Sequence, residues 1–267
     1  MINYKLSPQA MVKTSGSSKG FQPKFYDKGY WYKQNLKGYE ATAECLVSKV
    51  LSCSNLTNYV LYEKCMVNNR NGCRSMDFTK ENESFQSFQR IHEQMLGRSL
   101  SDTIRGIPDV EERIQYTIEF FKEYISFDVS EYLGNILRLD ALILNQDRHF
   151  NNLGVIINQE TGQIREAPIF DNGDSLMSDF GRFPSTDSLE ENMDRCYAQP
   201  FSVNPYEQIK YLPGTLKIDY KMLDSLLQAE ADSRALQLLK FQLKNCKEII
   251  PDFSKKGPSV KPYHSTR

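Results

Sequence analysis

Apolar residues follow two different periods along the chain, and the change comes near residue 80. Before that point, aromatic and β-branched residues cluster in short runs that indicate strands. These runs are residues 21–26, 30–33, 58–67 and 73–78. One longer stretch, residues 40–51, has apolar side chains at helical spacing. The pattern therefore predicts a strand-rich segment that contains a single helix.

Beyond residue 80 the helical period dominates. Helices are predicted at residues 109–125, 130–145, 219–229 and 232–247. The second of these is apolar nearly all round its second half, which is typical of a central, buried helix. Two apolar runs on either side of residues 160–162 predict an antiparallel hairpin whose turn is centred near Thr161.

These elements predict an α+β fold with two lobes and a cleft between them. We assign residues 1–80 to a small, strand-rich N-lobe with one helix, and residues 81–267 to a larger, mainly helical C-lobe. The last residues, 251–267, contain proline and basic side chains and are expected to form a flexible tail.

Composition narrows the class of protein. The 267 residues carry 33 Lys and Arg against 34 Asp and Glu, a net charge of −1, which argues against a nucleic-acid partner. No apolar run approaches the ~20 residues of a membrane span, and the first residues lack the apolar part of a signal peptide. Six cysteines form no C-x-x-C pair, so no zinc site is predicted. We expect a cytoplasmic protein.

The most informative segment follows the buried helix. Residues 145–152 read NQDRHFNN, and the predicted hairpin after them leads into residues 171–173, which read DNG. Folding the chain about Thr161 places Asn152 beside Asp171, so that Asp147, Asn152 and Asp171 share one space.

Oxygen ligands from one Asn and one Asp, without Cys or His, suit Mg²⁺. A second carboxylate five residues before the Asn has the place of a base that accepts a proton from an incoming hydroxyl. This arrangement is typical of phosphoryl transfer by kinases. The alternative is a polar loop whose Asp and Asn only cap a helix and a turn.

The two motifs resemble the catalytic loop and the metal-binding motif of HipA-like serine/threonine kinases, N-x-D-R-H-x-x-N followed by F-D-N-G. The resemblance covers about residues 13–250 and implies a protein-kinase-like fold with an ATP cleft between the lobes. Phosphoinositide kinases share D-R-H-x-x-N but follow it with D-F-G, so a lipid kinase is the less favoured alternative.

Position by position, the resemblance implies that Asp147 is the catalytic base and that Asn152 and Asp171 bind Mg²⁺. Arg148 and His149 are expected to hold the catalytic loop in shape, with a direct catalytic role of His149 as the alternative.

The resemblance also implies a nucleotide clamp in the N-lobe. A Gly/Ser-rich segment precedes the first strand, and its backbone N–H groups would cover the phosphates, although a linker would look the same. The residues assigned to this clamp are Ser15, Gly16, Ser17 and Ser18. Lys33 has the place of the strand lysine that binds the α- and β-phosphates, with Glu44 as its partner and Glu40 as the alternative.

Adenine is expected to lie against residues 76–78, with Met76 and Phe78 among its contacts and hydrogen bonds to backbone groups of this connection. The whole resemblance implies ATP- and Mg²⁺-dependent phosphoryl transfer to a serine or threonine of a protein substrate. The alternatives are a kinase of a phosphoinositide or another small molecule, and a nucleotide-binding pseudokinase that acts as an interaction module. HipA toxins carry an additional N-terminal region that contacts an antitoxin, and this chain begins close to the Gly/Ser-rich segment, so no antitoxin partner is implied.

Overall fold

The computed structural model describes residues 1–12 and 22–253. The predicted clamp residues Ser15, Gly16, Ser17 and Ser18 lie outside these ranges, as does most of the expected C-terminal tail.

A five-stranded sheet forms the first part of the described chain. Its strands are β1 Asn3–Tyr4, β2 Lys24–Asp27, β3 Tyr30–Gln34, β4 Glu63–Val67 and β5 Arg70–Met76. They lie in the order β1-β4-β5-β3-β2, with β1 parallel to β4 and the other pairs antiparallel.

Two tight turns set the register of this sheet. Lys28 and Gly29 join β2 to β3, and Asn68 and Asn69 join β4 to β5, each residue with a positive φ. Two successive residues of positive φ make the primed turn whose twist matches that of the strands. The connection between β4 and β5 is therefore only two residues long, and β5 begins at Arg70, before the predicted run 73–78.

Helix α1, Glu40–Ser52, packs against the sheet with one face and against the helical part of the molecule with another. Ala41 and Cys45 contact Cys73 of β5, while Leu46 and Val50 belong to the large core cluster. Helix α1 therefore lies between the five-stranded sheet and the helical part of the molecule, and its remaining side chains are held where these two parts meet.

The remaining helices form most of the second part. They are α2 Phe88–Leu96, α3 Leu100–Arg105, α4 Val110–Ile125, α5 Ser130–Ile143, α6 Leu189–Met193, α7 Pro205–Gln208, α8 Tyr220–Gln228 and α9 Arg234–Asn245. As its apolar pattern predicts, α5 is central, with Leu133, Leu137 and Leu142 fully buried.

A second, antiparallel sheet lies beside the helices. Its strands are β6 Glu83–Ser87, β7 Gly154–Asn158 and β8 Ile164–Glu166, in that order. The predicted hairpin is present, but Val155 pairs with Glu166, one residue off the predicted register, and β8 is shorter than expected. Strand β6 was not anticipated, because its sequence ESFQS lacks an apolar alternation.

The α+β architecture expected from the pattern is confirmed: a sheet with one helix precedes a larger, mainly helical part. The lobe boundary at residue 80 stays a prediction. Among the described helices, none combines the length and the apolar character needed to cross a membrane.

Candidate functional site

The loop between α5 and β7 is fixed by its own side chains. Leu144 adopts a left-handed conformation that ends α5, and Asn145 donates its amide to Asp140 Oδ1 at 2.9 Å. The side-chain oxygen of Asn145 accepts the backbone N–H of Asp147 at 2.9 Å. The amide of Asn152 donates to the Asp147 carbonyl at 3.0 Å. The backbone of Asp147 is therefore held from both ends of the loop.

Arg148 joins this loop to the segment that contains Asp171. Its Nε and Nη2 donate to the two oxygens of Asp140 at 2.9 Å each, and Nη2 also donates to Asn172 Oδ1 at 2.6 Å. Nη1 donates to the Phe170 carbonyl at 2.8 Å. Since the Arg148 side chain is fully buried, the two segments keep one fixed relative position.

Asp147 and His149 lie at the open side of the loop. Their side chains are 47% and 22% exposed, and Asp147 Oδ2 is 3.8 Å from His149 Nε2. Partial burial raises the pKa of Asp147; the effect of His149 opposes this shift and the charge of Asp171 adds to it. His149 Nδ1 is buried and has no hydrogen-bond partner among the described residues.

Lys33 lies between two carboxylates. Its ammonium contacts Glu44 Oε1 of α1 at 2.5 Å and Asp171 Oδ1 at 2.6 Å. Burial lowers the pKa of Lys33, but Asp171 and Glu44 outweigh that effect and raise it well above the usual value. Glu44 also accepts the backbone N–H of Asn172 at 2.8 Å. Lys33 and Glu44 therefore link strand β3, helix α1 and the segment that contains Asp171.

Glu40, the alternative partner of Lys33, serves a different purpose. Its carboxylate accepts the backbone N–H groups of Leu36, Lys37 and Gly38 at 2.7 to 3.1 Å. Glu40 thus closes the turn that leads into α1, while Glu44 is the glutamate that contacts Lys33.

A second lysine reaches the same site. Lys24 Nζ contacts Asp171 Oδ2 at 3.2 Å. Burial raises the pKa of Asp171, but Lys24 and Lys33 together outweigh it and hold this pKa far below the usual value. Lys24 pairs directly with Lys33 across β2 and β3, so both side chains point to one face of the sheet.

Sequence reasoning did not single out Lys24 or Asp140. The signal for Lys24 was the predicted hairpin around Gly29, because the register of that hairpin places Lys24 opposite Lys33. The signal for Asp140 was a lone carboxylate in the apolar half of a helix predicted to be buried, where a charge needs a partner.

The two residues expected at the adenine lie apart from the charged groups. Met76 is 63% exposed at the end of β5. Phe78 packs against Phe85 and Phe170, with ring centroids 5.8 and 5.3 Å apart. Neither residue lines the cleft that contains Asp147 and Asp171, and their contact with adenine stays a prediction.

The oxygen donors here fit a magnesium ion that takes its other ligands from phosphate and water. Asn152 donates its NH₂ group, which leaves its side-chain oxygen for a cation, and Asp171 presents its carboxylate to the cleft. Asp174 lines the same cleft with a buried oxygen, Oδ1, that accepts no hydrogen bond from the residues that the structure describes. Over residues 1–12 and 22–253, no group of three or more His, Cys, Asp or Glu forms a complete metal site on its own.

Comparison with known proteins supports the fold. No protein-family profile matches the sequence, and no curated protein matches it in sequence. Among solved structures, the chain is similar to the proinflammatory kinase CtkA of Helicobacter pylori, with a TM-score of 0.64 and 17% identity. The match covers 93% of this chain and 94% of that one.

The chain also matches a structure of the HipA–HipB toxin–antitoxin system with its operator DNA from Shewanella oneidensis MR-1. Here the TM-score is 0.45 and the identity 11%, over 94% of this chain and 62% of the other. The similarity to CtkA along nearly the full length of both chains confirms that this protein has a kinase-like fold.

Proposed function

We propose that the protein transfers the γ-phosphoryl group of ATP to a serine or threonine hydroxyl of another protein, with Mg²⁺ as cofactor. One observation carries this proposal: Lys33 is held between Glu44 and Asp171, and Asp171 lines one cleft together with Asp147. A kinase requires this lysine–glutamate pair together with a metal-binding aspartate.

Lys33 and Lys24 would bind the phosphates of the nucleotide. Both ammonium groups contact Asp171, and Lys33 is kept positively charged by its two carboxylates. Asn152 and Asp171 would hold Mg²⁺, which neutralises the charge that develops on the phosphates. Glu44 orients Lys33 and, through the N–H of Asn172, the segment that contains Asp171.

Asp147 would accept the proton of the acceptor hydroxyl while that oxygen forms its bond to phosphorus and ADP leaves. Two features of this chain support the role. The backbone of Asp147 is fixed by Asn145 and Asn152, and its carboxylate is half-exposed at the edge of the cleft. A hydroxyl on a large acceptor can therefore reach it without entering a closed cavity, which favours a protein acceptor.

The test compares turnover and nucleotide binding in Asp147→Ala. A positioned base acts mainly in the transition state, so we expect kcat to fall by ~10²-fold or more. The affinity for Mg·ATP by calorimetry should stay within a few-fold, because Lys33, Asn152 and Asp171 remain.

Transfer of labelled phosphate is measured with protein acceptors and, in parallel, with phosphoinositides. Wild-type protein that binds Mg·ATP but transfers phosphate to no acceptor, and behaves like Asp147→Ala, would point to a pseudokinase. Transfer to phosphoinositides alone would replace the protein acceptor by a lipid headgroup.

A further inference from the structure

His149 lies on two clefts. The first is the cleft already described, which also contains Asp147 and Asp171. The second, which we call the arginine cleft, lies between α3, the start of α4 and the segment around Gln199, with Arg105 and Arg113 on its walls. The side chain of His149 therefore borders both the cleft of Asp147 and the arginine cleft.

The two clefts have opposite charge. The first is lined by the carboxylates of Glu40, Asp147, Asp171 and Asp174 as well as by lysines. The described residues that line the arginine cleft include two arginines and no Asp or Glu. The arginine cleft is therefore suited to a negatively charged group.

Arg113 is fixed in place with its charge unbalanced. Its Nε donates to the Ile107 carbonyl and its Nη1 to the Phe201 carbonyl, both at 2.7 Å. These carbonyls hold the guanidinium but carry no net charge. Within the part of the chain that the structure describes, no carboxylate lies within ion-pair distance of Arg113.

Arg105 is available at the entrance. It pairs with Asp102 at 2.8 Å, but both side chains are more than two-thirds exposed. An ion pair this exposed contributes little and exchanges easily with a ligand.

Part of the lining of the arginine cleft is apolar, because Ile104 and Phe150, both nearly fully buried, contribute to it. Its volume is about 180 Å³. Pockets for small molecules usually measure ~300–1,000 Å³. The arginine cleft is therefore better suited to one side chain of a larger acceptor than to a whole small molecule.

We infer that the arginine cleft binds an aspartate or glutamate side chain of the protein acceptor, close in sequence to the hydroxyl that is phosphorylated. This inference rests on the proposed kinase function and adds the class of acceptor to it. The acidic side chain lies against Arg105 and Arg113 on one side of His149, and the hydroxyl reaches Asp147 on the other.

The experiment uses two fluorescein-labelled peptides with a central serine, one flanked by glutamates and the other by lysines. Binding is followed by anisotropy with Mg²⁺ and a non-hydrolysable ATP analogue, and phosphorylation with labelled ATP. We expect wild-type protein to bind and phosphorylate the glutamate peptide in preference, with the preference declining as salt rises. Arg105→Glu should weaken binding of the glutamate peptide about fivefold to tenfold and improve binding of the lysine peptide.

Arg98→Glu is the matched control. It makes the same charge change at an exposed arginine just before α3 that does not line the cleft, so the peptide preference should stay as in wild type. Thermal unfolding followed by circular dichroism verifies that both variants are folded. Arg113 is left intact, because it also donates to the backbone carbonyls of Ile107, Pro108 and Phe201.

The outcomes separate the inference from the proposed function. Equal phosphorylation of both peptides, or equal effects of Arg105→Glu and Arg98→Glu, overturns the inference while the kinase stands. Charge-dependent binding without phosphorylation of the serine overturns the acceptor role of the cleft. Failure to bind Mg·ATP overturns both, and phosphorylation of inositol phosphates in place of either peptide overturns the choice of a protein acceptor.

Discussion

Lys33 and Arg148 are both buried basic side chains paired with carboxylates, yet they lie in different surroundings. Arg148 and its partner Asp140 are 0% and 1% exposed, and all of its bonds end inside the protein. Lys33 contacts Asp171, whose side chain is 18% exposed and lines a cleft.

The two pairs are therefore built for different tasks. Arg148 donates four hydrogen bonds to buried acceptors on the two segments that it joins, and it is closed to ligands from the solvent. Asp171 is shared by two ammonium groups that reach it from one face of the sheet. The proposed function requires that these contacts be exchanged for a cation and phosphates when Mg·ATP binds.

The largest difference should come from Asp171→Asn. We expect phosphoryl transfer to fall by about 10³-fold or more, because a bound metal stabilises the transition state by several kcal/mol. The melting temperature should fall, because Asp171 loses its ion pairs with Lys33 and Lys24, but by less than in Asp140→Asn, since Lys33 keeps Glu44 as its counter-charge. Labelled-ATP assays and calorimetric melting test both expectations. Full activity in this variant would remove the metal role of Asp171.

Asp140→Asn should show the reverse pattern, a large loss of stability. It leaves the Arg148 charge buried without a counter-charge, which costs about 3 kcal/mol. For a protein of this size we expect a melting temperature lower by roughly 10 °C. Asp219→Asn is the matched control, because Asp219 caps α8 and asparagine caps a helix equally well. Equal melting temperatures in both variants would contradict the scaffolding role of Arg148.

The sequence predicts local elements, such as single helices and turns, better than it predicts contacts between segments that are distant in the chain. Helix α1 and the turn at Lys28 and Gly29 have strong local signals, a helical apolar period and a glycine in a short aromatic hairpin. The hairpin between Asn152 and the Asp171 segment also follows from the sequence, and its register is only one residue off the predicted one.

Contacts between segments distant in sequence could not be predicted from local sequence patterns. Strand β6 pairs with β7 across some seventy residues, and no local pattern indicates such a partner. The partner of Asp140 is fixed by how α5 and the following loop pack, which periodicity does not specify. The arginine cleft combines α3, α4 and the segment near Gln199, three regions that meet only in the folded chain.

Glu44 and Glu40, one turn apart on α1, show the same contrast between a site residue and a structural residue, with a smaller expected effect. Glu44→Gln should raise the KM for ATP or lower kcat, about tenfold in kcat/KM, because a hydrogen bond to a charged group contributes ~1.5–3 kcal/mol. Glu40→Gln should leave KM and kcat near wild type and lower stability, because Glu40 binds only backbone N–H groups. Steady-state kinetics and melting of both variants test this. The opposite result would assign the nucleotide role to Glu40.

The smallest effect concerns the acidic limb of the pH profile. If Asp147 is the base, kcat/KM is lost as the pH falls and the carboxylate becomes protonated. Burial raises the pKa of Asp147 and His149 opposes this rise, so His149→Gln should raise that pKa further. The acidic limb should then move to higher pH.

Lys37→Met is the control for this shift. Lys37 also lowers the pKa of Asp147, but less than His149 does, so its removal should move the limb in the same direction by a smaller amount. The pH dependence of kcat/KM is measured for wild type and both variants with one peptide acceptor. A limb that moves to lower pH contradicts Asp147 as the titrating base. A limb that disappears in His149→Gln alone assigns the titration to His149, and Asp147 would then position the acceptor rather than accept its proton.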